Sequence, residues 1–213
     1  MKKELKKYLN QTSKFDKLTL IGIACLVAII SGLFGWVYEF IFYYFNSGMK
    51  EFYFRGGNFL PWINIYAYGA FIIILLTYKL RKKPLLVFLI SFFACGILEY
   101  ISGAIIYQIE DGVMCWSYNQ EILNFGNIGG FVCLRSATFF GLSGLLLMYG
   151  ILPFVFYLAR TINKKTFLII TISIFSIILL DDLYNLIIAG VFNTPRASDI
   201  YKSIGFKYIY FYD

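Results

Sequence analysis

Five ionisable residues stand inside or at the edge of long apolar stretches: Glu39, Glu99, Arg135, Asp181 and Asp182. Each is costly in hydrocarbon, so each must face a bundle interior, a partner or water. Carboxyls held this way have three uses. They bind a cation or polar headgroup, pair with arginine as internal glue, or work as an acid–base pair. With Arg55, which follows the first stretch, the count is four acids against two arginines. Full mutual neutralisation then requires some carboxyls to be protonated. Asp181-Asp182 makes a weak pair, because adjacent helical residues point about 100° apart. The chain has no histidine. His-activated nucleophiles, His-ligated haem and most zinc catalysis are therefore excluded. Cys25, Cys95, Cys115 and Cys133 show no CxxC spacing and are expected as unpaired thiols, although Cys115 and Cys133 fall on one side of the membrane, where a disulfide is conceivable.

The elements that position these groups follow from composition. Of the 213 residues, 60% are hydrophobic and 15% charged. A soluble domain has about 25% charged residues, so this chain has too little polar surface to be one. A soluble enzyme, a disordered tail and a disulfide-stapled secreted domain are excluded. What remains is an all-α, polytopic transmembrane helix bundle. A bilayer core about 30 Å thick needs about 20 apolar residues per helix. Five stretches qualify, at residues 18–45, 59–78, 84–109, 128–159 and 166–192. The longest must tilt or contain a break, and Gly126, Gly129 and Gly130 mark one at the start of the fourth. Pro61 fits the first position of the second helix.

Basic residues sort by side. Lys2, Lys3, Lys6, Lys7, Lys14 and Lys17 precede the first stretch. Lys79, Arg81, Lys82 and Lys83 lie between the second and third, and Arg160, Lys164 and Lys165 between the fourth and fifth. The others, Lys50, Arg55, Arg135, Arg196, Lys202 and Lys207, lie on or near the opposite side. The positive-inside rule places the N-terminus in the cytoplasm and the C-terminus outside, in the cell membrane. Residues 1–17 then form a basic cytoplasmic segment, 18–192 the five-span domain and 193–213 a short extracytoplasmic tail. The +7 net charge reports topology, and no nucleic-acid partner is expected.

Helical rise puts Glu99 and Asp181 roughly 22 Å above the inner ends of their helices, with Glu39 at a similar height. The acids and arginines thus converge on the outer half of the membrane. Gly35 precedes Glu39 by one turn, and Gly96 and Gly103 flank Glu99 on one face. Glycine beside an intramembrane acid lets a partner helix come close. Asp181 shares a face with Tyr184 and Asn185. Two units, spans one–two and three–four, read as a weak parallel internal repeat. In both, a helix with Gly-then-acid is followed by an aromatic loop with an arginine near its end. The pairing expected from this order is Glu39 and Glu99 with Arg55 and Arg135. The loop at 110–127 reads as an interfacial aromatic belt, or as a lid over the polar level.

The order of motifs resembles the ABC-transporter type IV (CmpB-like) family of integral membrane proteins. The residues that carry the resemblance are Gly35-Trp36 with Tyr38-Glu39, Arg55-Gly56, then Pro61 leading to Ile65-Tyr66 and Gly69. They continue with Leu98-Glu99-Tyr100, Ser102-Gly103, Trp116-Ser117-Tyr118, Asn127-Ile128 and Cys133-Leu134 followed by Ser136 and Gly141. Ser117 stands where the family carries an acid, and the family's Pro-Ile-Tyr-Gly element is loosened at residues 61–69. The resemblance implies a permease-type role. Combined with the charge pattern it gives an expected ligand-binding set of Glu39, Arg55, Tyr66, Glu99, Tyr100, Trp116, Tyr118, Asn127, Arg135 and Asp181, with no cofactor.

No GxxxxGK[ST] loop is present, so P-loop ATP hydrolysis would have to come from a separate ATPase subunit. The loops on the basic side are short and show no coupling element. Three functions remain open. The first is a transport-related membrane protein with an outward-facing polar site. The second is a membrane-embedded enzyme using carboxylates on a lipid or isoprenoid substrate, for which there is no DDxxD motif. The third is a non-catalytic sensor or assembly partner, with homo-oligomers also open.

Overall fold

Hydrocarbon offers no partner to a backbone N–H or C=O, so apolar segments must close their hydrogen bonds internally. In the computed structural model of the protein they do so as helices. Residues 6, 8–10, 14–109, 111–114 and 116–207 are described. Cys115, most of residues 1–17 and the end of the 193–213 segment lie outside them. The elements are α1 (Lys17–Asn46), α2 (Asn64–Leu80), α3 (Pro84–Ile109), α4 (Leu134–Thr161), α5 (Lys164–Phe192) and the short α6 (Ala197–Ser203). Four of these are long and apolar enough to cross a membrane, and α2 is a shorter apolar helix. No strand occurs among the described residues. The fold is the expected helical bundle of about five spans.

Two helices start later than the apolar runs suggest. α2 begins at Asn64, so Pro61 is not its first residue. Ile63 is still extended, and the Trp62 indole before it packs onto α1. That ring donates from Nε1 to the Ala28 carbonyl at 3.0 Å. It lies against Gly32, where a Cβ would meet the indole nitrogen at 2.0 Å. Gly32→Ala is therefore expected to cost about 1–3 kcal/mol by overpacking. Gly69→Ala, whose Cβ meets only the Cys95 sulfur at 3.7 Å, should be nearly neutral. Thermal unfolding of the two purified variants checks this.

α4 begins at Leu134 rather than at residue 128. Gly126, Gly129 and Gly130 have φ of +66°, +64° and +81°, which a side chain rarely adopts. The expected break is there, and Ser136 Oγ accepts from the Cys133 amide to cap the new start. Within α4 the helix widens to a π turn at Leu147–Ile151. Pro153, just beyond it, has no amide to give the preceding turn. α5 carries a second π turn at Tyr184–Ile188.

α1 is central. It packs against α2, α5 and the second half of α4, while α3 packs against α2 and α4. One end of the bundle gathers the basic turns. Arg81, 1% exposed, donates to the Tyr8 carbonyl at 2.8 Å and lies over the rings of Tyr8 and Tyr78. At the same end Asp16 caps α1 through Thr19 and pairs with Lys164 of α5 at 2.9 Å. The Thr19 hydroxyl, then the Lys164 ammonium, hold the Asp16 carboxyl well below the usual carboxylate range. The opposite end carries the loops at 47–63 and 110–133.

Candidate functional site

Glycines set the approach distances at the loop end. A Cβ on Gly35 would lie 2.2 Å from the Tyr66 ring, so only glycine there lets α2 close on α1. The Tyr66 hydroxyl then donates to Glu39 at 3.1 Å. On α3, Gly96 faces Ala137 and Val132, and the start of α4 sits close enough for Ser136 Oγ to reach Glu99 at 2.8 Å. Both acids are held one helical turn from the glycine that precedes them.

The loop between α3 and α4 turns Trp116, Tyr118 and Glu121 inward over the chamber, while Ile122, Leu123, Phe125 and Ile128 stay exposed. Trp116 donates to the Phe131 carbonyl, and the Tyr118 amide to the Gly130 carbonyl. Tyr118 is 8% exposed and donates to Glu99 at 2.5 Å.

A chain of contacts links the charges. Arg55 Nε donates to Glu39 at 3.0 Å, and its guanidinium lies over the Tyr43 ring at 4.8 Å. The Tyr43 hydroxyl donates to Glu121 at 2.5 Å, and Arg135 pairs with the other oxygen of Glu121 at 2.5 Å. The Arg135 guanidinium is stacked 3.9 Å from the Phe42 centroid and 5.2 Å from that of Tyr118. Tyr118 leads to Glu99. The expected pairing is thus half right. Glu39 takes Arg55, but Arg135 takes Glu121 and leaves Glu99 to two hydroxyls. The loop brings Glu121 to Arg135 Nη2, while the Tyr118 and Ser136 hydroxyls take the two oxygens of Glu99. Among the described residues, Glu99 has no basic partner. Burial pushes the Glu121 carboxyl up, against the opposing pull of the Tyr43 hydroxyl and Arg135.

These side chains enclose a chamber of about 60 Å³. Glu39, Arg55, Tyr66, Glu99, Trp116, Tyr118 and Arg135 all line it. Glu99 and Tyr66 also border a second, more apolar space of about 50 Å³ toward the basic end. There the Ser143 hydroxyl is buried without a partner. The Nε and Nη1 atoms of Arg135 are likewise buried without a hydrogen-bond acceptor.

Three residues of the expected set stand apart. Asp181 accepts from the amides of Phe59 and Leu60 at 3.0 and 2.8 Å and from Asn185, and so anchors the loop before α2. Tyr100 is 40% exposed against Phe131. Asn127 is tied to Asn119 and the Gly130 amide in the outer turn. Asp182 holds Asn58 at 2.7 Å. The sequence reading missed Tyr43 and Glu121. Tyr43 lies four residues after Glu39 on the same helical face, a signal that was present. Glu121 had none, since a loop acid reads as solvated.

The arrangement can bind a group that satisfies an unpaired buried carboxyl. Among the described residues no cluster of three or more Cys, Asp or Glu side chains is suited to a metal ion. A family model described as "Putative ABC-transporter type IV" matches residues 26–186, well over half of the chain. No curated protein and no solved structure matches it.

Proposed function

Because the chain belongs to the ABC-transporter type IV family, we propose that it is a permease-type membrane subunit. It receives a polar solute in the chamber around Glu99, and a separate ATPase chain supplies the energy. The loop end faces outward and the basic end inward, as the sorting of lysine and arginine requires. The observation that carries the reading is Glu99: 7% exposed, without a basic partner among the described residues, on the wall of a cavity it shares with two arginine–glutamate pairs. Balanced pairs hold a bundle together; an odd carboxyl at their centre attracts a cation.

The test is occupancy of purified protein in lipid nanodiscs, read as thermal stabilisation. Ethylammonium, acetate and glycerol represent cationic, anionic and neutral solutes. Ethylammonium at about 100 times its Kd should add about 2.7 kcal/mol to the wild type. Glu99→Gln should show no such gain. Equal responses from wild type and variant, or no response to any of the three, would overturn the assignment.

A further inference from the structure

A helix that starts late leaves room beyond its first turn. α2 begins at Asn64, whereas α1 and α3 continue past Glu39 and Glu99 to Asn46 and Ile109. Beyond the first turn of α2, between the upper parts of α3 and α5, lies a cleft of about 320 Å³. Tyr68 of α2, Ser102 and Ile106 of α3 and Leu186 of α5 line it. Tyr68 and Leu186 are 55% and 56% exposed, on helices whose outer faces meet lipid. The cleft therefore opens sideways to the bilayer. It joins the chamber at Glu39, Arg55 and Trp116, which line both.

Volume decides what fits where. The chamber of about 60 Å³ is the smaller of the two joined spaces and has room for a few water-sized groups, which suits a small polar head such as an ammonium. Charge selects the same group. Glu39–Arg55 and Glu121–Arg135 balance each other, leaving Glu99 flanked by the rings of Tyr66 and Tyr118. The first-turn amides of α2 carry no side-chain cap and border the cleft, where they suit an anionic oxygen.

We infer that the site takes a primary-ammonium-headed amphiphile from the surrounding leaflet, one whose N–H groups can donate to Glu99. The ammonium enters the chamber at Glu99, a neighbouring phosphate or ester oxygen meets the start of α2, and the chain lies in the cleft between α3 and α5. An ethanolamine phospholipid presents its groups in this order. The inference rests on the proposed permease reading and names the substrate class of that same site.

Tryptophan quenching tests it, because Trp62 and Trp116 line the cleft. Full-length Trp36→Phe protein is placed in phosphatidylcholine nanodiscs with phospholipids brominated on the chain. Brominated phosphatidylethanolamine should quench at about tenfold lower mole fraction than brominated phosphatidylglycerol or phosphatidylcholine. Glu99→Gln should abolish that preference, and Ser102→Phe, which fills the cleft, should weaken it. Soluble phosphoethanolamine should compete poorly. If it competes as well as the lipid, the chamber binds a free cation and the lateral route is wrong. If phosphatidylethanolamine quenches no better than phosphatidylcholine or phosphatidylglycerol, the chain selects no primary ammonium head and the inference falls. The proposed permease site itself stands or falls on the ethylammonium test: it falls if the wild type gains no stability, or if Glu99→Gln gains as much.

Discussion

Arg135→Gln is expected to cost about 3–5 kcal/mol of stability, the penalty for leaving a buried ion without its partner. Arg135 and Glu121 are 13% and 2% exposed at the side chain, so the carboxylate left behind stays out of water. Arg135→Lys should recover only part of the loss, because an ammonium cannot stack between Phe42 and Tyr118 as the planar group does. The double variant Arg135→Gln with Glu121→Gln removes both charges and should be more stable than Arg135→Gln alone. Unfolding of the four proteins in a double-mutant cycle measures the coupling. Additive losses would mean that the two residues do not act as a pair.

Glu99 should behave in the opposite way. Ser136 Oγ lies 2.8 Å from Glu99, 2.9 Å from the Cys133 carbonyl and 3.1 Å from the Cys133 amide. One hydroxyl proton cannot serve both acceptors. A glutamine at position 99 can accept from Tyr118 and donate to Ser136, freeing the serine proton for Cys133. Glu99→Gln is therefore expected to fold within about 1 kcal/mol of the wild type while losing about tenfold or more in ammonium binding. Glu99→Leu strips the Tyr118 hydroxyl of its acceptor and should cost about 1–3 kcal/mol. If the carboxylate were ionic glue, glutamine and leucine would destabilise alike. Unfolding and binding measured on the same three preparations separate the two roles.

The spans were legible because hydrocarbon thickness and backbone hydrogen bonding leave few options. The level of the charges followed from helical rise. The Gly35–Glu39 and Gly96–Glu99 spacings pointed to close approach, and Tyr66 and Ser136 occupy those approaches. What sequence alone did not show came from segments outside helical periodicity. Trp62, just before α2, packs on residues more than two dozen positions earlier, a contact that no local pattern encodes. The 110–133 loop folds inward through glycine turns and delivers Tyr118 and Glu121 to helices that precede and follow it. Pairing among several acids and two arginines was likewise undetermined by depth, since every candidate lay at one level.

The shortness of α2 also acts on the bilayer. Over Asn64–Leu80, 14 α-helical residues closed by a three-residue 3-10 turn, it spans about 27 Å, against about 39 Å for the 26 residues of α3. A hydrocarbon core of about 30 Å cannot match both. The bilayer is therefore expected to be thinner along the α2 flank than along the α3 flank. A preference among nanodiscs of different lipid chain length would be set by the difference between those two flanks.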